Sequence, residues 1–417
     1  MNNMSSPELI PITELLEDIV DNRGKSCPTV SEGFPLIATN CIKSSSIYPT
    51  FENIRYVSDE TLKNWFRQEL KPNDILFVNK GTPGRVCLVP NPVSFCAAQD
   101  MIGLRADNEK IYYKYLFAIL RSEFIQKTIS NFHVGIAIPH FKKGDMKHLL
   151  IPVPDMDLQI KIGDVYFNIS QKIETLNRIN YKIEKILKLI FNFWFIQYDF
   201  PNEENKNYKS NKGLMKYDNT IKREIPINWT VNELKYFVNF ERGVEPGSKA
   251  YEYTSNDENI PFLRVGDLNS RNENNVFINK ELSQNKILNR DDIILTLDGT
   301  VGIVKLGLYG AYSTGIRKLE ITNNQINKPF LYCLIKSQYI QDTIKKYATG
   351  SNILHAANSI NYMNFVLPDE STMKKFNIIA NPLFEKLIKN YSEIVELNNF
   401  RDFIFPLLLS GQVGFKE

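Results

Sequence analysis

Lys80, Gly81 and Gly84 have the residue types and spacing that can bind a phosphate group. They lie in the stretch DILFVNKGTPGRV, residues 74–86, where two glycines three residues apart follow a lysine. Backbone N–H groups of such a G-x-x-G turn, together with the ammonium group, can surround an anion. A tight turn between two strands needs glycine at positive φ and gives the same pattern. The pattern favours the plain turn, and phosphate binding is the alternative.

This stretch is repeated in the second half of the chain. DIILTLDGTVGIV, residues 292–304, has the same pattern at an offset of 218 residues, with Gly299 and Gly302 in the glycine positions. Asp298 stands in the place of Lys80, so this position cannot be a phosphate contact shared by both copies. Other landmarks keep the same order in both halves: the helical patterns 115–129 and 330–344, then 135–140 and 350–355, then 151–155 and 365–370. We therefore predict two copies of one α+β design.

The histidines and cysteines form no catalytic or metal-binding pattern in the sequence. The four histidines lack H-E-x-x-H and metal-ligand spacing, and the five cysteines lack C-x-x-C spacing. The pairs Pro154-Asp155 and Pro368-Asp369 could begin a nuclease carboxylate motif, but an Asp before a helix is also an ordinary N-cap. We expect no catalytic residue, no metal site and no cofactor bound by this chain.

Composition and charge limit the class of protein. With 43% hydrophobic and 23% charged residues the chain is expected to be globular, and its length allows two or three domains. A formal net charge of +3 is small for 417 residues, so a polyanion would have to be held by local patches. The sequence shows neither a membrane-spanning apolar stretch nor a signal peptide, which predicts a cytoplasmic protein without a membrane partner.

A long helical pattern follows each copy of the duplicated design. Apolar residues spaced alternately by three and four form a seam that predicts a coiled coil. The seam residues are Ile162, Ile169, Ile173, Leu176, Asn180, Ile183, Leu187 and Ile190 in the first helix, and Leu387, Ile394, Leu397 and Ile404 in the second. Two such helices in one chain are expected to pack against each other antiparallel. Asn180 either fixes the register of the pair or marks a face that a partner subunit covers.

The order of these features resembles the specificity subunit of a type I restriction-modification enzyme. The G-T-x-G turn occurs in each half, FNFWFIQYDFPN (191–202) looks like the aromatic-rich end of that family's central helix, and FPLLLSGQV (405–413) looks like its C-terminal signature. The resemblance covers essentially the whole chain. It implies an α+β fold with two globular target-recognition domains separated by a long antiparallel helix pair, as a pseudo-two-fold internal repeat.

The resemblance also implies how the chain is divided. We expect a first recognition domain over 1–154, a long helix over 155–200, an exposed linker over 201–226, a second recognition domain over 227–368 and a second long helix over 369–417. Asn381-Pro382 looks like the start of the second helix, with Asn as cap and Pro at the first helical position. Pro382, Arg401 and Pro406 depart from the family's pattern and are expected to bend or shorten that helix.

The function implied is that of a non-catalytic subunit that reads a bipartite, asymmetric site in double-stranded DNA. Each recognition domain would read one half, and the helix pair would set the unread spacer. The helices would also dock two methyltransferase subunits, which carry S-adenosylmethionine, and motor-nuclease restriction subunits would join for cleavage. The alternative is a scaffold of the same architecture that holds protein partners without reading DNA.

DNA-binding candidates are the basic residues near the glycine-containing turns, because phosphate and base contacts need Lys and Arg. They are Arg23, Lys25, Lys43, Lys80, Arg85, Lys142 and Lys143 in the first domain, and Arg242, Lys249, Arg264, Lys305, Arg317 and Lys318 in the second. For each one the alternative is a solvated surface charge. The aromatic cluster within 191–198 is expected to pack beneath a domain or against a methyltransferase.

Overall fold

The chain folds into two compact units in the computed structural model, which describes residues 7–21, 25–132, 139–268, 276–351 and 353–415. The first unit comprises Met1–Thr175 with Val395–Glu417, and the second comprises Leu176–Ile394. The divisions fall inside two long helices, so each unit contains one part of each helix.

The elements follow one another in the same order in both halves. In the first half the strands are β1 (Glu8–Pro11), β2 (Leu16–Asp21), β3 (Phe34–Ile37), β4 (Arg55–Val57), β5 (Ile75–Val78), β6 (Val86–Leu88), β7 (Cys96–Ala97), β8 (Met101–Ala106) and β9 (Leu150–Val153). The helices there are α1 (Asp59–Asn64), α2 (Tyr113–Leu120), α3 (Glu123–Asn131) and the long α4 (Met156–Phe191), which continues as a π-helical turn over Asn192–Ile196.

The second half begins with a hairpin and then repeats the pattern. Its strands are β10 (Met215–Asp218), β11 (Arg223–Pro226), β12 (Thr230–Glu233), β13 (Val238–Arg242), β14 (Asn259–Leu263), β15 (Phe277–Asn279), β16 (Ile287–Leu288), β17 (Ile293–Thr296), β18 (Asp298–Gly299), β19 (Val304–Lys305), β20 (Gly310–Tyr312), β21 (Ile316–Ile321), β22 (Leu354–His355) and β23 (Asn364–Leu367). Its helices are α5 (Lys328–Ile335), α6 (Gln338–Lys346) and the long α7 (Glu370–Leu409).

The sheet topology confirms the duplication. The central antiparallel sheet has the order β2-β8-β5-β6 in the first unit and β13-β21-β17-β19 in the second. In a smaller sheet, β3 pairs antiparallel with β4 and parallel with β7, as β14 does with β15 and β20. Each unit is therefore an α+β domain built on the same plan.

An aspartate stands directly before one buried inner strand of each sheet, Asp74 before β5 and Asp292 before β17. All four residues of β5 and of β17 are buried. The carboxylate of Asp74 accepts the N–H of Lys71 at 2.7 Å, and that of Asp292 accepts the N–H of Asn289 at 2.8 Å. Each Asp thus accepts a backbone N–H in the turn directly before a buried strand. This N–H has no partner in the strand itself, so the carboxylate satisfies it.

The long helices begin at aspartate caps and run antiparallel within each unit. Asp155 accepts the N–H of Leu158 and Asp369 accepts that of Thr372, each at 2.9 Å, so both carboxylates are N-caps as predicted. In the second unit Trp194 contacts Phe376, while the amide of Asn390 donates to that of Asn180. In the first unit Tyr166 packs against Phe405 with ring centroids 4.8 Å apart. Every predicted seam residue, from Ile162 to Ile190 and from Leu387 to Ile404, is buried or half-buried.

The predicted helix start at Asn381-Pro382 is wrong, because α7 begins at Glu370 and runs through the proline. Phe376 and Met373, which precede it, are buried in the core of the second unit, and unwinding the helix would expose them. A proline inside a helix removes one hydrogen bond and crowds the carbonyl four residues earlier. That carbonyl belongs to Ile378, whose side chain is 74% exposed, so water can reach this turn. The expected shortening of the helix does not occur, since α7 ends only at Leu409.

Residues 201–226 are mostly exposed, as predicted, but they are not a linker, because they belong to the second unit. Tyr208 stacks on Phe200 with ring centroids 4.7 Å apart, and its backbone N–H donates to the carbonyl of Phe200. Ile225 in the hairpin strand β11 is fully buried. The polar composition of this segment predicted a linker, because the few apolar residues that attach it to the core are outnumbered by polar ones.

Buried polar groups fix the helix pairing inside the second unit. The Asn390 amide donates to Asn180 Oδ1 at 2.7 Å with both side chains at most 2% exposed, which supports register fixing as the role of Asn180. One turn away, Glu184 accepts hydrogen bonds from the hydroxyls of Tyr332 and Tyr391 and pairs with Lys336 at 3.0 Å. Burial would raise the pKa of Glu184, but Lys336 and the two hydroxyls outweigh it and lower that pKa.

Replacement of Lys336 by Met is expected to destabilise the second unit in a pH-dependent way. Because the folded pKa of Glu184 lies below its ordinary value of 4.5, the stabilisation is present above that pH and is lost as pH falls through the folded pKa. The free energy of unfolding should fall by about 1 kcal/mol at pH 7. Urea unfolding followed by the fluorescence of Trp194 and Trp229, both in this unit, measures it.

The difference between wild type and Lys336→Met should shrink as pH falls from 5 to 3. The matched control is Lys328→Met, which removes an exposed ion pair with Asp291 at the start of α5, the helix that Lys336 ends. It should change the free energy of unfolding little at either pH. An equal difference at pH 3 and pH 7 would contradict the assignment.

Candidate nucleic-acid interface

The G-T-x-G stretches are tight turns, as the pattern favoured. Gly81, Gly84, Gly299 and Gly302 all have positive φ, between 75° and 90°. The N–H of Gly84 donates to the carbonyl of Val78 at 2.9 Å, and the equivalent bond joins Gly302 to Thr296 at 2.8 Å. The N–H of Gly81 is occupied by the carbonyl of Pro139. These donors are therefore not free to surround a phosphate.

A glutamine on the helix behind each turn lies close to the second glycine of that turn. Gln126 on α3 donates to the carbonyls of Gly84 and Leu120 at 2.9 and 2.6 Å. Gln341 on α6, at the equivalent position, donates to the carbonyl of Ile335 at 2.9 Å. A Cβ on Gly84 would lie 2.9 Å from the Gln126 side chain, and one on Gly302 would lie 2.6 Å from that of Gln341. Glycine is required there for close approach as well as for φ.

Four predicted basic residues of the first unit lie at one end of its central sheet. The register pairs Asp21 with Ile102 and Val78 with Met101, so β2 and β5 end where β8 begins. Phe141 donates its N–H to the carbonyl of Asn79, which brings the segment after it to the same end. Lys143 pairs with Asp21 at 3.4 Å. We call Lys80, Arg85, Lys142 and Lys143 the sheet-end surface of the first unit.

These side chains are accessible to solvent, and most of them make no ion pair with a described residue. Lys80, Arg85 and Lys142 are exposed and make no ion pair with any described residue. Lys143 is half-exposed in its pair with Asp21. Lys25 is exposed four residues beyond the end of β2. Arg23 lies outside the described residues.

The equivalent end of the second sheet has a different set of charges. The register pairs Arg242 with Arg317 and Thr296 with Ile316, so β13, β17 and β21 meet there. Asp298 pairs with His355 across β18 and β22. Arg242, Lys249 and His355 are exposed. We call Arg242, Asp298 and His355 the sheet-end surface of the second unit.

Arg317 is held inside that surface and takes part in the fold. Its side chain is 6% exposed, pairs with Asp298 at 3.3 Å and donates to the carbonyl of Thr314. Burial lowers the pKa of its guanidinium, although Asp298 opposes this shift. The side chain is therefore not presented to a groove, and its geometry favours a structural role.

The remaining predicted basic residues do not join the sheet-end surfaces. Lys43 pairs with Glu52 at 3.1 Å and Arg264 pairs with Asp267 at 2.8 Å. Lys318 pairs with both Asp292 and Glu320 within the sheet, and Lys305 lies along β19 away from the turn. The structure thus brings four of the thirteen candidates together at the sheet end of the first unit, Lys80, Arg85, Lys142 and Lys143. In the second unit it places Arg242 at the sheet end, while Lys249 is exposed in the segment after β13.

Sequence reasoning missed the pairing of Asp298 with His355. His355 Nδ1 lies 2.8 Å from Asp298 Oδ1, and the same carboxylate holds Arg317 through its other oxygen. In the first unit the equivalent backbone bridge joins Lys80 to His140. The signal was present: both halves have a histidine at the corresponding place, but only one has an acid opposite it.

A second feature missed from the sequence is an exposed apolar stripe on each long helix. On α4 and its π-helical turn it comprises Ile186, Leu189, Phe193 and Ile196, spaced by three and four beside the buried seam. On α7 it comprises Phe400, Phe403 and the half-buried Leu407. Leu189 and Phe403, both more than 60% exposed, stand 214 residues apart, as Asp155 and Asp369 do. The stripe is therefore part of the duplication.

The predicted aromatic cluster divides between core and surface. Phe191, Trp194, Phe195 and Tyr198 are at most 5% exposed and pack in the core of the second unit. Phe193 is 38% exposed and belongs to the stripe. In the described ranges no group of three or more His, Cys, Asp or Glu could hold a metal ion. None of the described helices combines the length and apolarity needed to cross a bilayer.

Comparisons with known proteins agree with the duplicated plan. A family profile described as "Type I restriction modification DNA specificity domain" matches residues 20–185 and 226–368. The type I restriction enzyme MjaIX specificity subunit of Methanocaldococcus jannaschii is 25% identical over 376 residues, with 87% of this chain and 83% of that protein covered. The HindI specificity subunit of Haemophilus influenzae is 20% identical over 408 residues, with 83% and 88% covered. The crystal structure of the type I restriction-modification system S subunit from M. genitalium matches with a TM-score of 0.57 at 18% identity, covering 100% of this chain and 98% of that one.

Replacement of Gly84 by Ala should destabilise the first unit more than replacement of Gly81 by Ala. Both residues have positive φ, which costs about 1–2 kcal/mol for alanine. A Cβ on Gly81 meets no atom within 4 Å, whereas one on Gly84 displaces Gln126. We expect Gly84→Ala to cost about 1 kcal/mol more, because a hydrogen bond is also disturbed. Urea unfolding followed by Trp65 fluorescence measures both, and equal costs would contradict the role of Gln126.

Proposed function

We propose that this chain, which belongs to the type I restriction modification DNA specificity family, reads a bipartite, asymmetric site in double-stranded DNA. Each unit reads one half of the site with its sheet-end surface. The observation that carries the proposal is the convergence of Lys80, Arg85, Lys142 and Lys143 at one end of a buried sheet. This chain supplies sequence recognition, and catalysis belongs to the partner subunits.

The chemistry of the sheet-end surfaces suits DNA. Lys and Arg that are exposed and free of ion pairs can neutralise phosphates and release counterions. Arg85 and Arg242 also have the fork of donors that reads guanine in the major groove. A net charge of only +3 means that this affinity depends on a local cluster and not on the chain as a whole.

Two units with one scaffold and different surfaces suit two different half-sites. The buried strand, the aspartate that precedes it and the glycine turn beside a glutamine are common to both. The side chains that reach solvent at the sheet end differ, most plainly at Lys80 and Asp298. An asymmetric site requires such a difference, because identical surfaces would read identical half-sites. A scaffold that does not read DNA gives no reason for it.

The exposed apolar stripes support docking of two copies of one methyltransferase subunit. Each stripe has helical spacing, and apolar side chains in such numbers on a surface mark protein contacts. Because the stripe recurs at an offset of 214 residues, the two copies would meet equivalent surfaces. We propose that these partners carry S-adenosylmethionine, and that motor-nuclease subunits join the complex for cleavage.

Neutralising the sheet-end surface should weaken DNA binding and its salt dependence. In the triple variant Lys80→Gln, Arg85→Gln and Lys142→Gln, the slope of log K against log salt should fall by about 0.9 for each phosphate that the variant no longer neutralises. The complex of this chain with methyltransferase subunits should bind DNA at least about tenfold more weakly. Fluorescence anisotropy with duplex DNA at several salt concentrations measures both quantities.

The matched control removes three exposed cations elsewhere in the same unit, in the variant Lys63→Gln, Arg67→Gln and Lys71→Gln. Lys71 lies before the entry turn of β5, at the opposite end of that strand from Lys80. This variant has the same net charge as the first and should keep wild-type affinity. Equal losses in the two variants would overturn the assigned surface.

Breaking one stripe should remove one methyltransferase copy. We expect Leu189→Asp with Phe193→Asp to change the complex from two methyltransferases per chain to one, and Phe400→Asp with Phe403→Asp to do the same, because a buried unpaired carboxylate is costly. All four changes together should leave no copy bound. Native mass spectrometry of the co-expressed subunits gives the stoichiometry.

The control for the stripe is Lys185→Ser with Lys188→Ser, two exposed polar positions on the same helix. It should retain two copies. Full binding by the variant with four aspartates would show that the partner docks elsewhere.

A further inference from the structure

We propose that His355 reads one base pair of the second half-site and that Asp298 positions it for this contact. The inference rests on the proposed function, because it takes the sheet-end surface of the second unit to face DNA. Its central observation is the hydrogen bond of 2.8 Å between His355 Nδ1 and Asp298 Oδ1. No catalytic or metal-binding role is involved.

The position of Asp298 fits base reading and not phosphate binding. A carboxylate repels phosphate, and the same place in the first unit is occupied by Lys80. Phosphate contacts are chemically alike in every DNA sequence, whereas base contacts must differ between two half-sites. A position with opposite charges on a common scaffold is therefore where sequence discrimination is expected.

The imidazole is held from behind by a chain of contacts. Arg317, which is buried, pairs with Asp298 at 3.3 Å, and Asp298 bonds His355, whose side chain is 61% exposed. The backbone of His355 is fixed as well, because its N–H and carbonyl both bond Thr349, at 2.8 and 2.9 Å. The Nδ1 edge of the ring is thus occupied by Asp298, and the outer edge of the ring, which carries Nε2, faces solvent. Such support from neighbouring groups is what precise recognition requires.

The contact with Asp298 determines what the outer edge can recognise. An ionised carboxylate only accepts hydrogen bonds, so Nδ1 carries the hydrogen of this contact, and in that tautomer Nε2 is an acceptor. In the major groove an acceptor pairs with the exocyclic amino group of adenine or cytosine. Among the described residues Nε2 has no hydrogen-bond partner. We infer that His355 accepts a hydrogen bond from such an amino group.

The first unit lacks this arrangement at the corresponding place. Lys80, which can only donate, stands opposite His140 across the equivalent backbone bridge. His140 is exposed and has no carboxylate partner among the described residues. The two histidines are therefore equivalent in the backbone and different in chemistry, which makes His140 a matched control.

Selection from random duplex DNA by the complex with methyltransferase subunits tests the proposal. The wild type should show a preference for one base pair at one position of the second half-site. His355→Ala should reduce the preference at that position by about tenfold or more and leave the other positions unchanged. Asp298→Asn, whose amide can donate as well as accept, should alter preference at the same position because it changes which ring nitrogen carries the hydrogen.

Thermal unfolding of each variant checks that the second unit remains folded. His140→Ala should leave the pattern of the second half-site unchanged. A uniform loss of affinity without a change in base preference would assign Asp298 and His355 a structural role and overturn the proposal. Unchanged affinity and unchanged base preference in His355→Ala would overturn it as well. If the wild type enriched no bipartite sequence at all, the proposed function itself would fail, and this outcome differs from both.

Discussion

Both units depend on the burial of one short strand on both of its faces. β5 and β17 are buried. The backbone polar groups where the chain enters and leaves each strand therefore need hydrogen-bond partners. Asp74 and Asp292 satisfy the entry turns. Glycine turns that lie close to a glutamine form the exits. Because the exits lie at the same end of each sheet as the neighbouring strand ends, the constraint that stabilises the core also builds the sheet-end surface.

This arrangement separates the residues that fold the unit from those that can vary. The buried strand, the aspartate before it and the glycines of positive φ recur in both copies, whereas Lys80 and Asp298 occupy the same backbone position with opposite charge. Even the ion pair at the entry differs: Arg105 binds Asp74 in the first unit, and Lys318 approaches Asp292 from a neighbouring strand position in the second. A unit can therefore change what it recognises at little cost to stability, which is what a specificity subunit requires. The exposed stripes behave in the opposite way, because they keep the same apolar character in both copies.

Features that depend on local spacing were predictable from the sequence. The duplication, the glycine turns, the aspartate caps and the buried seam follow from patterns within a few residues or at a fixed offset. The bounds 369–417 implied by the resemblance begin beside Glu370, where α7 starts. The local signal of Asn381-Pro382 was misleading, because burial of Phe376 outweighed it. The sequence also did not predict which of the thirteen basic residues lie together. Strand order decides which loops meet, and ion pairs decide which charged side chains remain available. The burial of Arg317 beneath Asp298 and His355 belongs to the same class of long-range effect.

The central claim is that two units of one chain read two halves of one DNA site. Base-resolution methylation sequencing of a chromosome, in cells that express this chain with its methyltransferase subunit, tests it most directly. The account predicts one methylated motif made of two short, different specific sequences separated by a gap of fixed length without base preference. A single continuous motif, or no motif although the complex assembles, would contradict it.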